Sequence, residues 1–174
     1  MTLTHHDEEV VEVGAPPAVL FAHLDDQERL AKHMEKPSMM PLGGRMFYEF
    51  DAGKGRAVGS VIRMGGNFLC FKLLVEEVIT VREPPRLKSW ETSGAPQLVV
   101  IGAYRMGFEI SSVNDASALR VFIDYQRPSG VIGQALGALF APFYARWCVS
   151  RMAQDAVRHF APGRVDRLPR AMRS

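Results

Sequence analysis

Four tyrosines are the side chains of this sequence best suited to orient a small molecule. Tyr48, Tyr104 and Tyr125 each fall on the apolar side of a segment in which apolar and polar residues alternate, as in a half-buried strand. Tyr144 lies in a long apolar segment with helical periodicity. A phenol hydroxyl can donate a hydrogen bond to a ligand carbonyl, so each tyrosine is a candidate to hold a ligand. The alternative for each is a core aromatic whose hydroxyl bonds one protein partner.

Histidine is the other residue type here that moves protons near neutral pH. His33 and His23 fall in two short helical segments, where each would be a base above a binding site or an ordinary surface residue. No Ser/His/Asp arrangement is visible, and Cys70 and Cys148 match no metal-binding spacing. The turn GKGR at 53–56 lacks the frame of a phosphate-binding loop. We therefore expect no metal, no cofactor and two reduced, buried thiols.

A long helix near the end of the chain has to position these groups. Apolar residues recur at three- and four-residue spacing over 132–160, which is the period of one helical face. A helix this apolar must pack against another element. Pro142 lies inside it and removes a hydrogen bond, so we expect a kink just before this residue. The face expected to pack consists of Ile132, Leu136, Leu139, Phe140, Phe143 and Trp147. It continues, slightly rotated, through Val149, Met152, Ala153, Ala156, Val157 and Phe160.

The rest of the chain is dominated by strand patterns. Two short helices follow the first strand, one opened by Pro16-Pro17 and one at 27–33, and a loop follows at 35–44. The pair Glu76-Glu77 interrupts the longest strand pattern, where we expect a bend. The expected strands lie at 8–13, 45–51, 58–64, 68–81, 86–92, 98–112 and 117–125, with turns that include 53–55, 65–67, 93–96 and 114–115.

This order of elements predicts an α+β fold with an internal cavity. An antiparallel sheet of about seven strands, apolar on one face, curls through its own twist. One kinked helix on the concave side cannot fill it, so space should remain between the sheet, the long helix and the short helices. The inward positions are rich in Met, Phe, Tyr and Trp, which suit apolar ligands. The alternative is that these side chains form a solid core.

Length and charge narrow the class of protein. The 174 residues fit one domain, expected at 8–160, followed by a basic tail at 161–174 that we expect to be disordered. A formal net charge of +2 does not favour nucleic acid as a partner. No apolar run reaches the roughly 18 residues of a membrane span, and the polar N-terminus lacks the pattern of a signal peptide. We therefore expect a cytoplasmic protein.

Three stretches together resemble a known superfamily. They read EVVEVGAPPAVLFAHLDD at 9–26, LVEEVITVREPPRLKSW at 74–90 and ALRVFIDY at 118–125, and the long helix follows them. This pattern resembles the SRPBCC or START-like superfamily, and within it the bacterial polyketide cyclase/dehydrase and lipid transport branch. The resemblance implies the helix-grip fold, a curved sheet wrapped around the C-terminal helix, and binding of hydrophobic small molecules. The superfamily has no shared catalytic residue set, so the resemblance assigns none.

The combined prediction is a carrier or sensor for a hydrophobic or aromatic small molecule. One alternative is a cyclase or dehydratase in the same cavity, with Tyr104, Tyr48 or His33 as the acid or base; two converging ionisable groups would favour it. Another is a ligand-free interaction module, for example an oligomerising domain such as a homodimer, or a chaperone-binding domain. A filled core and a broad exposed apolar patch would favour it. The residues expected to line the cavity are Tyr48, Leu73, Trp90, Tyr104, Met106, Ile123, Leu136, Phe140 and Phe143.

Overall fold

An antiparallel sheet and a long helix make up most of the described structure. The computed structural model describes residues 3–27, 45–68, 71–98 and 100–161. Its elements are β1 (His5–Val13), α1 (Pro17–Asp25), β2 (Arg45–Phe50), β3 (Val61–Phe68), β4 (Phe71–Glu83), β5 (Leu87–Gln97), β6 (Tyr104–Val113), β7 (Ala116–Tyr125) and α2 (Val131–Phe160). The seven strands pair in the order β1-β7-β6-β5-β4-β3-β2, and every pairing is antiparallel.

This architecture confirms the predicted α+β helix-grip fold, with a curved seven-stranded sheet, a long C-terminal helix and a short helix after the first strand. Of the second short helix expected at 27–33, only the first residue is among the described residues. His33, Cys70, the loop expected at 35–44 and the tail beyond residue 161 lie outside them.

The sheet has one apolar face because its strands alternate as predicted. Outward residues form cross-strand ion pairs; Arg105 Nη2, for example, lies 2.7 Å from Asp124 Oδ2. This alternation is the period of two that a pleated strand imposes, so the concave side holds the core. The buried inward residues of β6 and β7 include Phe108, Ile110, Leu119, Val121 and Ile123.

Two of the predicted turns are strand in the structure, whereas those at 53–55 and 114–115 are confirmed. Residues 65–67 lie inside β3. There Gly65 makes room for the aromatic ring of Phe47 on the neighbouring strand β2. A Cβ added there would lie 2.2 Å from Cζ of Phe47. Residues 93–96 lie inside β5, where the pairing with β4 shifts register. These glycines therefore relieve crowding or accommodate an irregular pairing within a strand, and do not end it.

In its first half, α2 does not pack by the aromatic face that the spacing predicts. In its second half, the predicted residues Val149, Met152, Ala153 and Ala156 are buried. The helix runs unbroken through Pro142, and it packs mainly on β1 and β7. Small side chains let the helix approach the sheet closely, whereas bulky ones would hold it away. The buried residues of α2 include Ala141, Ala145, Val149, Met152, Ala153 and Ala156. The predicted packing is wrong for four residues of α2 whose side chains are 42–74% exposed. We call them the aromatic stripe: Leu139, Phe140, Phe143 and Trp147.

A buried ion cluster joins α1 to the sheet. Lys88 of β5 is fully buried, and its Nζ donates to Oδ1 of Asp25 at 2.8 Å. Arg82 of β4 donates to Oδ2 of the same carboxylate from Nη2 at 2.8 Å. Burial by itself would raise the pKa of Asp25, but the hydrogen bonds and charges of Arg82 and Lys88 outweigh it and lower the pKa. The Asp25 cluster thus holds an ionised carboxylate between two cations.

Asp25→Asn should destabilise the protein by about 3–5 kcal/mol, because it leaves Lys88 buried without its counter-ion. Urea denaturation near neutral pH measures the loss. Arg63→Gln is the control, since Arg63 and Glu76 form an exposed pair at 2.9 Å, and such pairs contribute about 0–1 kcal/mol. Equal, small losses in both variants would show that the Asp25 cluster contributes no more than a surface pair.

Ala145→Leu should destabilise the protein by about 1–3 kcal/mol, because it adds bulk between α2 and the sheet. Phe143→Ala, at a position that is 74% exposed, should change the free energy of unfolding by less than about 1 kcal/mol. Urea denaturation of both variants against the wild type tests this pair. The opposite ranking would mean that the aromatic stripe is the packing face after all.

Candidate functional site

The concave face of the sheet carries a buried carboxyl group, that of Glu77. Val75, Glu77 and Ile79 alternate onto this face of β4 and are each at most 6% exposed. Tyr104 of β6 donates its hydroxyl hydrogen to Oε1 of Glu77, and the side chain of Trp90 on β5 also hydrogen-bonds this carboxyl. Three adjacent strands therefore bring a carboxyl, a phenol and an indole together.

The protonation of this group is set by its surroundings. Burial raises the pKa of Glu77 to about 7, although the hydrogen bonds from Tyr104 and Trp90 and the charge of Lys88 act in the opposite direction. Burial, followed by the charge and hydrogen bond of Glu77, raises the pKa of Tyr104 well above its ordinary value. Near neutral pH, Glu77 can therefore take up or release a proton while Tyr104 stays a hydrogen-bond donor.

The helix contributes a phenol and a thiol opposite this carboxyl. Tyr144 and Cys148, one turn apart on α2, hydrogen-bond to each other through their side chains. The neighbouring Cys148, followed by burial, raises the pKa of Tyr144 well above its ordinary value, and the charges of Tyr48 and Glu77 add to this effect. Burial raises the pKa of Cys148 to about 12, so this cysteine is a neutral thiol and a poor nucleophile.

We infer that a recess lies between these groups, because α2 packs mainly on β1 and β7. The concave face of the strands toward β2 is covered less completely. On the helix side, Tyr144 is 39% exposed, yet burial contributes to its raised pKa. A side chain can be both solvent-accessible and surrounded by protein when it lines a concave space. We call this space the recess. Its half-buried sheet residues are Tyr48, Phe50, Met64, Leu73, Tyr104 and Met106.

The predicted lining residues differ in their exposure. Trp90 and Ile123 are buried in the wall of the sheet. Phe140 and Phe143 are 46% and 74% exposed and belong to the aromatic stripe. Contact with a ligand stays a prediction for the whole set. Its half-buried members are Tyr48, Leu73, Tyr104, Met106 and Leu136.

The other sequence candidates have different partners. The hydroxyl of Tyr125 lies 3.5 Å from Oδ2 of Asp7 on β1. His23 of α1 stacks on His159 near the end of α2, with ring centroids 4.0 Å apart. Tyr104 is thus a candidate from the sequence that the structure bonds to a buried carboxyl group.

A separate, open surface cavity of about 270 Å³ includes none of the predicted lining residues. It lies beside the beginning of α2 and is lined by Thr4, His5, Arg127, Pro128 and Gln134. Within the described ranges, no three His, Cys, Asp or Glu side chains are grouped so that they could hold a metal ion. No helix in that part of the chain is long and apolar enough to span a membrane.

Glu77 is the site residue that sequence patterns failed to single out. The pair Glu76-Glu77 predicts only an irregular strand, and the pairing of β4 with β5 does shift register between Leu74 and Glu76. A usable signal was nevertheless present. Leu73 is predicted to face inward, and counting by twos from Leu73 reaches Glu77 and the buried Ile79.

Comparisons with known proteins identify the fold. By sequence, no family model and no curated protein matches. Norcoclaurine synthase from Thalictrum flavum superposes with a TM-score of 0.63 at 16% identity, covering 91% of this chain and 94% of that chain. Another structure of that enzyme is a complex with dopamine and hydroxybenzaldehyde. Ara h 8.0201 gives a TM-score of 0.58 at 15% identity, over 88% of this chain and 98% of that one.

A third similar structure is the Aha1 dimer from Colwellia psychrerythraea, with a TM-score of 0.54 at 12% identity, over 92% of this chain and 99% of that chain. Identities this low establish a shared fold and leave the ligand open.

Glu77→Gln should gain stability relative to the wild type as the pH rises from about 4.5 to about 7. The pKa of Glu77 rises from 4.5 to about 7 on folding. In this window the folded wild type keeps a proton that the unfolded chain has lost, so raising the pH destabilises the wild type and not the variant. Urea denaturation at several pH values measures the difference. Glu76→Gln, on the opposite face of β4, is the control and should not reproduce the trend. A difference between Glu77→Gln and the wild type that is independent of pH would contradict the prediction.

Proposed function

We propose that this chain, which has the helix-grip fold of the START-like or SRPBCC superfamily, binds a hydrophobic or aromatic small molecule in the recess and acts as a carrier or a sensor. Small-molecule sites are concave and mostly apolar, with a few placed polar groups. The recess has this composition, since Met64 and Met106 supply adaptable apolar surface beside Tyr48. The polyketide cyclase/dehydrase and lipid transport branch comes from the sequence resemblance and stays a prediction.

The observation that carries this proposal is the polar centre inside an apolar recess. Glu77 is buried and bonded by Tyr104. A carboxyl group in this position costs free energy on folding, since burial disfavours its charged form. A protein selected for stability alone would place an apolar side chain here. Deviations of this kind from packing rules are concentrated at functional sites.

A cyclase or dehydratase in the same recess is a second candidate function. Glu77 and Tyr104 are two converging ionisable groups, which is the arrangement expected of an acid–base site. The carboxylate of Glu77 would take a proton from a carbon next to a carbonyl, and a phenol such as Tyr144 would donate to the resulting enolate oxygen. A pKa of about 7 for Glu77 suits proton transfer at neutral pH.

The aromatic stripe favours a third candidate, an interaction module. Contiguous exposed apolar surface often marks a contact site, and one structurally similar protein, Aha1, is a dimer. Native mass spectrometry of the purified protein separates the three candidates. A co-purified small molecule supports the carrier, a co-purified pair of substrate and product supports the enzyme, and a ligand-free dimer supports the interaction module.

Met106→Trp should weaken binding of N-phenylnaphthylamine, a neutral aromatic fluorophore, by about tenfold or more, because the indole fills space in the recess. Met106 lies in register between Trp90 and Ile123, so added bulk has no room to move sideways within the sheet. Fluorescence titration measures the dissociation constant. Arg105→Trp is the matched control, since the neighbouring residue is exposed on the convex face and should leave the affinity unchanged.

Circular dichroism establishes that both tryptophan variants are folded. Tyr104→Phe is a second variant that keeps the ring; it should stay folded and alter the affinity for ligands that carry a carbonyl or hydroxyl group. The binding proposal is wrong if a folded Met106→Trp binds the fluorophore as tightly as the wild type does. It is also wrong if the wild type neither binds the fluorophore nor carries a small molecule.

A further inference from the structure

We propose that the ligand of the recess carries a protonated amine, and that Glu77 binds this amine as its counter-ion beside Tyr104 and Trp90. This inference rests on the proposed function and specifies the chemical class of the ligand. It comes from the surroundings of Glu77, which stabilise a carboxylate without neutralising its charge.

The partners of Glu77 stabilise its ionised form. Tyr104 donates a hydrogen bond to it from a hydroxyl and Trp90 from an indole N–H, and a carboxylate is stabilised by donors. The position lacks a cation: in the described part of the chain, no Lys, Arg or His nitrogen lies within ion-pair distance of Glu77. Lys88, whose charge does influence Glu77, is bound to Asp25 at 2.8 Å.

Two other carboxylates in the described part of the chain, both largely shielded from solvent, do have cationic partners. Asp25 lies between Lys88 and Arg82. Asp124, with 18% of its side chain exposed, pairs with Arg105 at 2.7 Å. A buried charge is costly when it has no partner. Glu77 has no such partner among the described residues, and it lies on the concave face of the sheet, so we infer that the missing cation belongs to the ligand.

The recess suits an organic ammonium group better than a metal ion or an anion. Trp90, Tyr104 and Tyr144 are aromatic residues, and aromatic rings attract cations through their faces. A metal ion needs several oxygen or nitrogen ligands, and the described residues contain no such group. An anion would be repelled by Glu77. The apolar part of an amine ligand would lie against side chains such as Met106.

The protonation of Glu77 supports the same assignment. Burial raises the pKa of Glu77 to about 7, and a cation beside it lowers that pKa again. Amine binding near neutral pH therefore has to release protons from the molecules in which Glu77 is protonated. The affinity for the amine should rise between about pH 6 and about pH 8, a range in which an alkyl ammonium group stays charged.

Three matched probes test the proposal: naphthylmethylamine, naphthylmethanol and naphthoic acid. Isothermal titration calorimetry at about pH 8 should give the wild type an affinity for the amine about tenfold or more above that for the alcohol, and the weakest binding for the acid. Glu77→Gln should bind the amine and the alcohol equally. Glu76→Gln, whose carboxylate in the wild type pairs with Arg63 on the convex face, should keep the preference for the amine.

The outcomes distinguish this inference from the proposed function. If the wild type binds N-phenylnaphthylamine but prefers the alcohol or the acid to the amine, the inference is wrong and the binding function stands. The inference also fails if Glu77→Gln keeps the preference. If the wild type binds none of these compounds, the proposed function fails and the inference fails with it.

A second measurement needs only the wild type. Titrations of the amine at about pH 7, in buffers of different ionisation enthalpy, report the protons released on binding. Release of a fraction of a proton is expected for the amine and not for the alcohol. An amine that binds without releasing protons would overturn the assignment of Glu77 as its counter-ion.

Discussion

The contact between the alanine face of α2 and the β1–β7 side of the sheet is the constraint on which the rest of the structure depends. Small residues such as Ala145 and Ala153, both fully buried, let the helix lie close to the sheet. Because the helix is held on these two strands, it does not cover the whole concave face. Some inward side chains of β2, β3 and β6, such as Tyr48, Met64 and Met106, stay half-buried, and Tyr144 faces them from the helix. Packing through the aromatic stripe would have filled the concave side with rings.

Two buried carboxyl groups of this fold differ in their partners. Asp25 is neutralised by Lys88 and Arg82 and fastens α1 to the sheet. Glu77 receives hydrogen bonds from Tyr104 and Trp90 but has no cation beside it among the described residues. The first arrangement loses stability when a partner is removed. The second leaves a carboxyl group that, once ionised, has no cationic partner among the described residues, and this makes it the candidate contact for a ligand.

The fold was predictable because its signals are local. Alternation in β6 and β7 and the helical spacing of 132–160 depend on neighbouring residues alone. Periodicity could not decide how α2 packs, because its alanines and its aromatic residues both recur at helical spacing, and bulk hydrophobicity favours the aromatic ones. The Asp25 cluster was also out of reach, since Asp25 and Lys88 are 63 positions apart. Glu77 was within reach by counting in twos from Leu73, but two adjacent carboxylates in a strand pattern indicate a bend and do not show which of them faces the core.

The thiol that faces the recess has a consequence for redox chemistry. Cys148 has a pKa of about 12, so almost none of it is thiolate in a living cell. Peroxides, glutathione disulfide and other oxidants react with the thiolate. A ligand bound in the recess would therefore lie beside a sulfur that resists oxidation and needs no reductase to restore it.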